Sequence, residues 1–340
     1  MTAAASYPDA DAASTSDAPP RRSVLRRVEW ILDESPVSRS GRAMRIRWVI
    51  GSLFLAYGVL LELVNAVRGT IAFVPFVFVL LALPILFNRL GRLGRYFLPV
   101  CLGLFAYGTA GSYVDKYKLT VHYAFQIRAD RWLGGGTVPA VWLQQHLYDG
   151  HTRVLEAICV GFYGGHFFIP LLLGLALALR NRSADFRFLM FGILTVSVLG
   201  ACTFLLMPTA PPWLAVREGH LTGVHEILKL GLRDLHLSAL AAVEGDPTKY
   251  DVTAAVPSLH TAYPLICLVT AIRARLPRPV VGALALNLLG VVFAIVYMGE
   301  HYVFDVFAGA AYASVALLVV HLAFRTQQRR PAPAVALAGR

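Results

Sequence analysis

Long apolar segments separated by polar connections dominate this chain. A bilayer core about 30 Å thick needs about 20 apolar residues per helical span, and eight segments approach that length. Backbone groups in lipid must satisfy their own hydrogen bonds, and segments this continuous do not alternate as barrel strands do. The pattern therefore predicts an all-α, polytopic membrane helix bundle. The predicted spans are roughly 48–67, 70–88, 97–114, 154–179, 188–207, 256–272, 280–298 and 302–324.

The composition agrees with a membrane protein and argues against a soluble globular domain. Of the 340 residues, 57% are hydrophobic and only 15% are charged. A soluble domain of this size carries more charge and fewer apolar residues. Residues 1–20 are rich in Ala, Ser, Asp and Pro and contain no apolar segment, so they are interpreted as a disordered tail and not as a cleaved signal peptide.

The net charge of +11 comes from basic residues whose positions argue against nucleic acid as a partner. They concentrate in alternate connections between the apolar segments and not in one patch. By the positive-inside rule, these connections and both termini are predicted to be cytoplasmic, in a multi-pass protein of the cell membrane. Of the 31 Lys and Arg residues, 21 lie in 21–47, 89–95, 180–187, 273–278 and from 325 onward.

The other connections are predicted to be extracytoplasmic, and two of them are long. Connection 115–153 begins with charged residues, passes a triple-glycine turn and ends in a short helical pattern from Pro139 to Tyr148. Residues 221–240 repeat apolar positions with a helical period, which predicts a helix in the outer interface. This helix is either a lid over a site or an interfacial anchor. The outer connections are 68–69, 115–153, 208–255 and 299–301.

A candidate catalytic pair begins the last predicted span. His301 and Asp305 are four residues apart, so in a helix they share a face and the carboxylate can accept a hydrogen bond from one ring nitrogen. That bond fixes the tautomer and leaves the other nitrogen free to attack phosphorus. Ionisable residues are costly in a membrane span, which favours a functional role over a structural one.

A second histidine motif, Pro257-Ser258-Leu259-His260, opens the sixth predicted span. Imidazole titrates near neutral pH, so His260 is the candidate general acid for a leaving alkoxide. Pro257 suits the first turn of a helix. Ser258 offers a hydroxyl and a backbone N–H at the positive end of the helix dipole, where phosphate binds. Phosphoryl transfer requires that both motifs open on the same side of the membrane.

A third motif, Met-Pro-Thr-Ala-Pro-Pro-Trp, runs from Met207 to Trp213 at the outer end of the fifth predicted span. Its prolines end the helix and stiffen the exit, and Trp213 suits the membrane interface. Taken alone, this stretch indicates only a helix terminator followed by an aromatic anchor.

Taken in their order along the chain, the three motifs resemble those of the type-2 phosphatidic acid phosphatase superfamily, and most closely its inositol phosphorylceramide synthase branch. There a Pro-Ser-Leu-His form follows a Pro-Thr-Ala-Pro-Pro-Trp stretch. The resemblance covers about 97–324, six of the eight predicted spans, and implies a six-helix phosphatase-like core, a phosphohistidine intermediate and neither metal nor cofactor. Outside it lie a disordered Arg-rich cytoplasmic tail (1–46), two accessory helices (47–96) and a cytoplasmic tail (325–340).

The resemblance also implies a role for each motif residue. His301 resembles the histidine that attacks phosphate, and Asp305 resembles its orienting carboxylate. His260 resembles the histidine that protonates the leaving group. Ser258 is expected to contact phosphate.

Two departures from the family pattern concern the positive charges that bind phosphate. In the motif that comes first along the chain, which corresponds here to 207–213, the pattern has basic residues. Shortly before the nucleophile it has a Ser-Arg pair, where this chain has Ala294 and Ile295. A phosphoryl group in transfer still needs cationic or N–H donors. The candidate replacements in the outer connections are Lys116, Arg128, Arg131 and Arg217.

Three more residues are candidate substrate contacts. Leu259 and Tyr302 lie within the two histidine motifs. His166 lies inside the fourth predicted span, in a Tyr-x-x-His-Phe setting similar to that of the same branch. It is either a third site histidine or a residue that hydrogen-bonds between helices.

The sequence therefore predicts a membrane enzyme that breaks a phosphoester of a lipid or lipid-linked substrate on the extracytoplasmic side. With an alcohol as acceptor it is a head-group transferase, and phosphoinositol is the favoured group; with water it is a phosphatase. The alternative class is a non-catalytic transporter or lipid-binding scaffold, whose broken helices and mid-membrane polar residues these spans mostly lack. A CDP-alcohol phosphotransferase is disfavoured because the sequence has no Asp-Gly-x-x-Ala-Arg run.

Overall fold

The computed structural model describes residues 119–180, 182–237 and 252–328, together with Ala56. Every regular element within these ranges is an α-helix, which confirms the all-α prediction. Apart from Ala56, the first three predicted spans lie outside the described residues, as do Lys116 and the N-terminal tail. The helices are α1 (Ala124–Leu133), α2 (Pro139–Leu147), α3 (Val154–Leu179), α4 (Ser183–Leu206), α5 (Pro212–Arg217), α6 (Ile227–Asp234), α7 (Leu259–Arg273), α8 (Arg278–Tyr297) and α9 (Val303–Gln328).

Four of the described helices, α3, α4, α8 and α9, are long and apolar enough to cross a membrane. They coincide within a few residues with four of the predicted spans, and they support the membrane class. The start of α4 differs most, because the helix begins at Ser183 and not near 188. Polar residues stabilise this added turn, where Arg182 Nε donates to Asp185 Oδ2 at 2.9 Å.

The sixth predicted span, 256–272, corresponds to α7, which begins only at Leu259. Its 15 residues extend about 22 Å at 1.5 Å per residue, less than a bilayer core. α7 contacts α3, α4, α8 and α9, and its Ile266 and Cys267 are fully buried. It is therefore the central helix of the bundle.

Glycines let α4 approach α7 closely. A Cβ on Gly200 would lie 3.2 Å from Leu259, and one on Gly192 would lie 3.1 Å from Ile266. Helices in membranes pack through small residues because lipid offers no hydrophobic drive for their association. Leu259 is part of the apolar core that results.

Four short helices, α1, α2, α5 and α6, cover the end of the bundle at which α7 and α9 begin. Together with the irregular segments that join them to each other and to the bundle, they form the region that we call the cap. α2 begins at Pro139, after the glycine turn at 134–136, as predicted. α1 was not predicted: its charged residues, Arg128, Asp130 and Arg131, interrupt the apolar positions of 124–133. It packs against the first part of α9.

The helix predicted within 221–240 is present but shorter than expected. α6 spans only Ile227–Asp234, and Gly223, with a φ of +80°, belongs to irregular chain before it. Leu228 and Leu232 are buried, and α6 packs against α3. These apolar positions therefore pack on the protein, and the location of the helix in the outer interface stays a prediction.

The connections between α3 and α4 and between α7 and α8 lie at the end of the bundle opposite the cap. Arg273, at the end of α7, lies 3.8 Å from Asp185 near the start of α4. Its guanidinium also lies over the Phe188 ring, 4.3 Å from the centroid. Arginines cluster at this end, namely Arg180, Arg182, Arg273, Arg275 and Arg278.

Candidate active site

His260, His301 and Asp305 form a buried chain of polar contacts between α7 and α9. His260 Nδ1 lies 3.1 Å from His301 Nε2, and His301 Nδ1 lies 3.3 Å from Asp305 Oδ2. With a proton on Nδ1 of each ring, His301 donates to the carboxylate and His260 donates to Nε2 of His301. This tautomer keeps a lone pair on Nε2 of His301, as a nucleophile requires.

A tight turn between α8 and α9 presents His301. Gly299 has a φ of +81° there, a conformation that favours glycine. The backbone N–H groups of Glu300 and His301 donate to Ile295 O at 2.9 and 3.0 Å and close the end of α8. His301 therefore precedes the helix, and its contact with Asp305 joins a turn to the first turn of α9. The four-residue spacing had predicted two positions within one helix.

Ser258 links the start of α7 to α9. Its Oγ accepts the backbone N–H of Thr261 at 3.3 Å and caps α7. Its own N–H donates to Asp305 O at 3.1 Å. Gly309 permits this contact, because a Cβ there would lie 2.2 Å from Ser258 O. Both histidine motifs thus open at the same end of the bundle.

Two rings of α3 lie against His260. The Tyr163 ring is stacked on it with centroids 4.7 Å apart, and the His166 ring lies 4.0 Å away. Counted from Val154 at 1.5 Å per residue, these rings lie about 14 and 18 Å along α3. The histidines are therefore recessed inside the bundle, and the structure brings His166 to them.

Trp213 is buried, contrary to the prediction of an interfacial anchor. It is 6% exposed, and its Nε1–H donates to Glu300 Oε2 at 3.2 Å. Its indole therefore has a partner inside the protein, on the residue before His301. The Arg217 guanidinium lies over the indole, 5.2 Å from the ring centroid.

Asp130 of α1 holds the first turn of α9, a role that sequence reasoning missed. Its Oδ2 accepts the backbone N–H of Val303 at 3.0 Å, and its Oδ1 accepts that of Phe304 at 2.8 Å. These N–H groups have no partner within the helix. Burial raises the pKa of Asp130 to about 6, although both backbone donors favour the carboxylate. No pattern in the local sequence indicated this partner.

The predicted substrate contacts from the two motifs have different surroundings. Ser258 and Tyr302 are fully buried, and the N–H of Tyr302 donates to Asp305 Oδ2 at 2.9 Å. Leu259 instead packs its side chain against Gly200, so only its backbone N–H is available to a ligand.

The predicted phosphate-binding cations are not brought to the histidines as a group. Arg128 and Arg131 are exposed on α1, and neither forms an ion pair with a described residue. Lys116 lies outside the described residues. Among the described candidates, Arg217 is the cation that contacts connect to the site, through Trp213 and Glu300.

Some buried polar atoms beside the histidines have no hydrogen-bond partner among the described residues. They are His260 Nε2, Asp305 Oδ1 and Tyr302 OH. Such atoms are almost always paired with protein, water or a ligand, so these indicate a polar ligand or water. In the part of the chain that the structure describes, no group of three or more His, Cys, Asp or Glu could hold a metal. Metal independence stays a prediction.

Comparison with known protein families identifies the family to which this helical bundle belongs. A model of the PAP2 superfamily matches residues 126–319, which is more than half of the chain, so the chain belongs to the PAP2 superfamily. Within that class it is 28% identical over 168 residues to the phosphoinositol dihydroceramide synthase of Bacteroides thetaiotaomicron. The match covers 48% of this chain and 54% of the relative, about half of its length. No solved structure matches significantly.

The superfamily predicted from the three motifs is thereby confirmed, and the similarity to a phosphoinositol dihydroceramide synthase agrees with the predicted branch. The roles of individual residues stay predictions and are developed as a proposal below.

Proposed function

We propose that this protein is an integral membrane phosphotransferase that moves a phosphoinositol-type head group between lipids at the extracytoplasmic face, through a phosphohistidine on His301. The observation that carries the proposal is the buried chain from His260 through His301 to Asp305. Membership of the PAP2 superfamily supports action on a lipid phosphoester. The name of the Bacteroides relative supports phosphoinositol as the group and a ceramide-type alcohol as the acceptor.

In the first step, Nε2 of His301 attacks the phosphorus of the donor lipid. The P–N bond forms while the P–O bond to the lipid alcohol breaks. The bond from Nδ1–H to Asp305 holds the ring in the required tautomer and stabilises the positive charge that develops on it.

His260 is the general acid for this step, and it carries a proton on both nitrogens once the phosphate anion of the donor lies beside it. Its Nδ1 lies 3.1 Å from His301 Nε2 in the free enzyme. This distance leaves no room for a phosphoryl group between the two rings. When the group enters and separates the rings, the Nδ1–H of His260 points at the leaving oxygen and protonates it. The second proton stays on Nε2, which has no described partner in the free enzyme, so His260 ends the step neutral.

In the second step, an acceptor hydroxyl attacks the phosphohistidine. The P–N bond breaks, a P–O bond forms and Nδ1 of His260 takes the hydroxyl proton, which restores both histidines. An alcohol gives a second lipid, whereas water gives a free head-group phosphate. The recessed position of the site, about 14 Å along α3, supports transfer to an alcohol because it limits access of water.

Backbone N–H groups at the start of α7 are proposed to bind the phosphoryl oxygens. Leu259 and His260 begin a helix of 15 residues, whose N-terminus carries positive partial charge. The Ser258 hydroxyl lies at the same place. These donors take the place of the Ser-Arg pair that the family pattern has at Ala294 and Ile295, which are fully buried in α8.

The proposed extracytoplasmic location depends on the arginines of the connections α3–α4 and α7–α8. They lie at the end of the bundle opposite the histidines. By the positive-inside rule that end faces the cytoplasm, so the histidines open on the other side.

The test uses the full chain purified in detergent and supplied with phosphatidylinositol and dihydroceramide, and separately with a lipid extract with and without inositol. Mass spectrometry is expected to detect a phosphoinositol ceramide. His301→Ala is expected to lose at least about 10³-fold in rate while remaining folded. His321→Ala, the same change farther along α9, is the matched control and is expected to keep wild-type activity.

Product formed at the wild-type rate by His301→Ala would exclude this residue as the nucleophile. Inhibition by EDTA would point to a metal-dependent route and contradict the mechanism. Release of inositol phosphate without a second lipid would identify a phosphatase. If the wild-type protein turned over no phosphoester, the outcome would contradict an enzyme and favour a lipid-binding or transport role.

A further inference from the structure

Residues 208–213, Pro-Thr-Ala-Pro-Pro-Trp, run from the end of α4 into α5, and we call this stretch the strap. Its three prolines each restrict the backbone φ angle. Thr209, its second residue, forms parallel bridges with His122 on one side and Ala254 on the other. The strap therefore does more than end α4, because its backbone is paired on both sides.

The first half of the strap holds the segment that leads to His260. Thr209 N–H donates to Thr253 O at 2.8 Å, and Ala255 N–H donates to Thr209 O at 3.1 Å. The side chain adds a third bond, since Thr209 Oγ1 accepts the N–H of Val256 at 2.9 Å. Val256 lies four residues before His260, and Thr209 is fully buried.

The second half of the strap holds the turn that leads to His301. The backbone N–H of Trp213 donates to Gly299 O at 3.1 Å, and its indole N–H donates to Glu300 Oε2 at 3.2 Å. These two acceptors belong to the residues directly before His301. One short, stiff segment thus contacts both histidine-bearing segments within four residues of each histidine.

The distance between the two rings makes this connection relevant to catalysis. His260 Nδ1 and His301 Nε2 are 3.1 Å apart although the residues belong to different elements. Hydrogen bonds weaken steeply with distance and misalignment, and a displacement of about 1 Å at reacting groups can cost about 100-fold in rate. A segment bonded to both sides limits such displacement.

We propose that the strap is a shared positioning element, in which Thr209 and Trp213 set the separation and orientation of His260 and His301. The inference rests on the proposed function, because it assigns a role within that reaction. Neither residue touches the reacting atoms; each acts through the backbone segment that it holds.

Two conservative variants remove one hydrogen bond each. Thr209→Val keeps the branched shape but leaves the N–H of Val256 without its acceptor, and Trp213→Phe removes the donor to Glu300. Each is expected to lower kcat about 10- to 100-fold with the KM for donor lipid unchanged. Thr209→Ser keeps the hydroxyl and is expected to recover most of kcat.

The double variant, Thr209→Val with Trp213→Phe, distinguishes positioning from independent effects on stability. If both residues hold the same pair of rings, either change alone already displaces the pair. The combined loss in kcat is then expected to be smaller than the product of the single losses. Rates are normalised to folded protein, measured by size-exclusion chromatography and thermal unfolding.

Matched controls come from exposed positions of the cap. Thr222→Val and Trp132→Phe make the same side-chain changes where no described contact reaches the histidines. Both are expected to keep wild-type kcat.

Wild-type kcat in both strap variants, or equal losses in Thr209→Ser and Thr209→Val, would overturn the inference. If Thr209→Val does not fold, Trp213→Phe and its control decide the matter. These results leave the proposed function intact as long as His301→Ala is inactive. Activity in His301→Ala would instead contradict the proposed function, whatever the strap variants do.

Discussion

In the membrane bundle, each long helix satisfies its own backbone hydrogen bonds and meets its neighbours through apolar side chains and glycines. In the cap, by contrast, the short segments depend on hydrogen bonds to one another. The contact of Gly200 with Leu259 is typical of the bundle. The bond from Val256 N–H to Thr209 Oγ1 is typical of the cap. The bundle carries the side chains that we propose to be catalytic, and the cap supplies many of the bonds that orient them.

Gln144 of α2 illustrates how the cap is held. Its Nε2 donates to Tyr297 O at 2.8 Å and to His225 O at 3.1 Å, and its Oε1 accepts the N–H of His225 at 2.7 Å. Nearby, Glu156 accepts hydrogen bonds from the Tyr297 hydroxyl and from the N–H of Arg153. Two polar side chains thus join α2, the chain before α6, α3 and the end of α8.

The difference predicts that changes in the two regions have different consequences. A residue of the proposed catalytic chain, such as Asp305, is expected to act on the reaction itself, because it touches a reacting ring. A cap residue outside the strap, such as Gln144, is expected to act first on stability, because it completes the backbone bonds of neighbouring segments.

The largest effect is expected in the bundle, from Asp305→Asn. The amide cannot hold the Nδ1–H of His301 as the carboxylate does, so the tautomer with a free Nε2 is disfavoured, and kcat is expected to fall about 10³- to 10⁴-fold. Lipid transfer per folded protein is the measurement. Asp234→Asn, the same change at an exposed position of α6, is expected to leave kcat unchanged. A loss below tenfold in Asp305→Asn would contradict its orienting role.

An intermediate effect is expected in the cap, from Gln144→Ala. It removes three hydrogen bonds and leaves the carbonyl of buried Tyr297 without this donor, which is expected to lower the free energy of unfolding by about 1–3 kcal/mol. The exposed neighbour provides the control, since Gln145→Ala is expected to change the free energy of unfolding by less than about 0.5 kcal/mol. Denaturant unfolding in detergent measures both. If kcat of folded Gln144→Ala fell as far as that of Asp305→Asn, the distinction between the two regions would fail.

The smallest effect is expected from Asp130, at the contact between the cap and α9, and it concerns how stability depends on pH. Burial raises its pKa from the ordinary value of 3.8 to about 6, so between these values the folded protein keeps a proton that the unfolded chain has released. The stability that Asp130 contributes is therefore largest below about pH 4 and is lost as the pH rises to about 6.

In Asp130→Asn, this part of the pH dependence is expected to disappear. Unfolding free energies measured from about pH 4 to pH 7 should show a flatter slope below pH 6 than in the wild-type protein. Asp234→Asn again serves as the control and should keep the wild-type slope. Equal slopes in the wild type and Asp130→Asn would mean that burial does not govern the Asp130 carboxyl.

The helices of the bundle were largely predictable from sequence, whereas in the cap α2 was predicted, α6 only in part and α1 not at all. The bounds of α3, α8 and α9 follow the apolar pattern within a few residues, because a helix in lipid needs a continuous apolar run whatever its neighbours are. The bounds of α6 and the existence of α1 could not be predicted in this way. Short amphipathic segments take their structure from what they pack against, and spacing alone does not identify that surface.

The same division applies to the site. His260, His301 and Asp305 were recognisable because each is a costly polar residue at the start of an apolar segment within a known motif. Asp130 and Thr209 were not recognisable as positioning residues. The partners of Asp130 lie 173 and 174 residues away and that of Thr209 lies 47 residues away, and no local pattern encodes such pairs.

The order of apolar and polar residues alone determined the class of this protein, the course of its long helices and the residue types available for phosphoryl transfer, because these depend on local chemistry and on the cost of polar groups in lipid. Tertiary structure alone decided that two histidines 41 residues apart lie 3.1 Å from each other, that Trp213 is buried and that Asp130 holds α9. Those outcomes depend on how separate segments meet in space, where buried backbone groups must find partners.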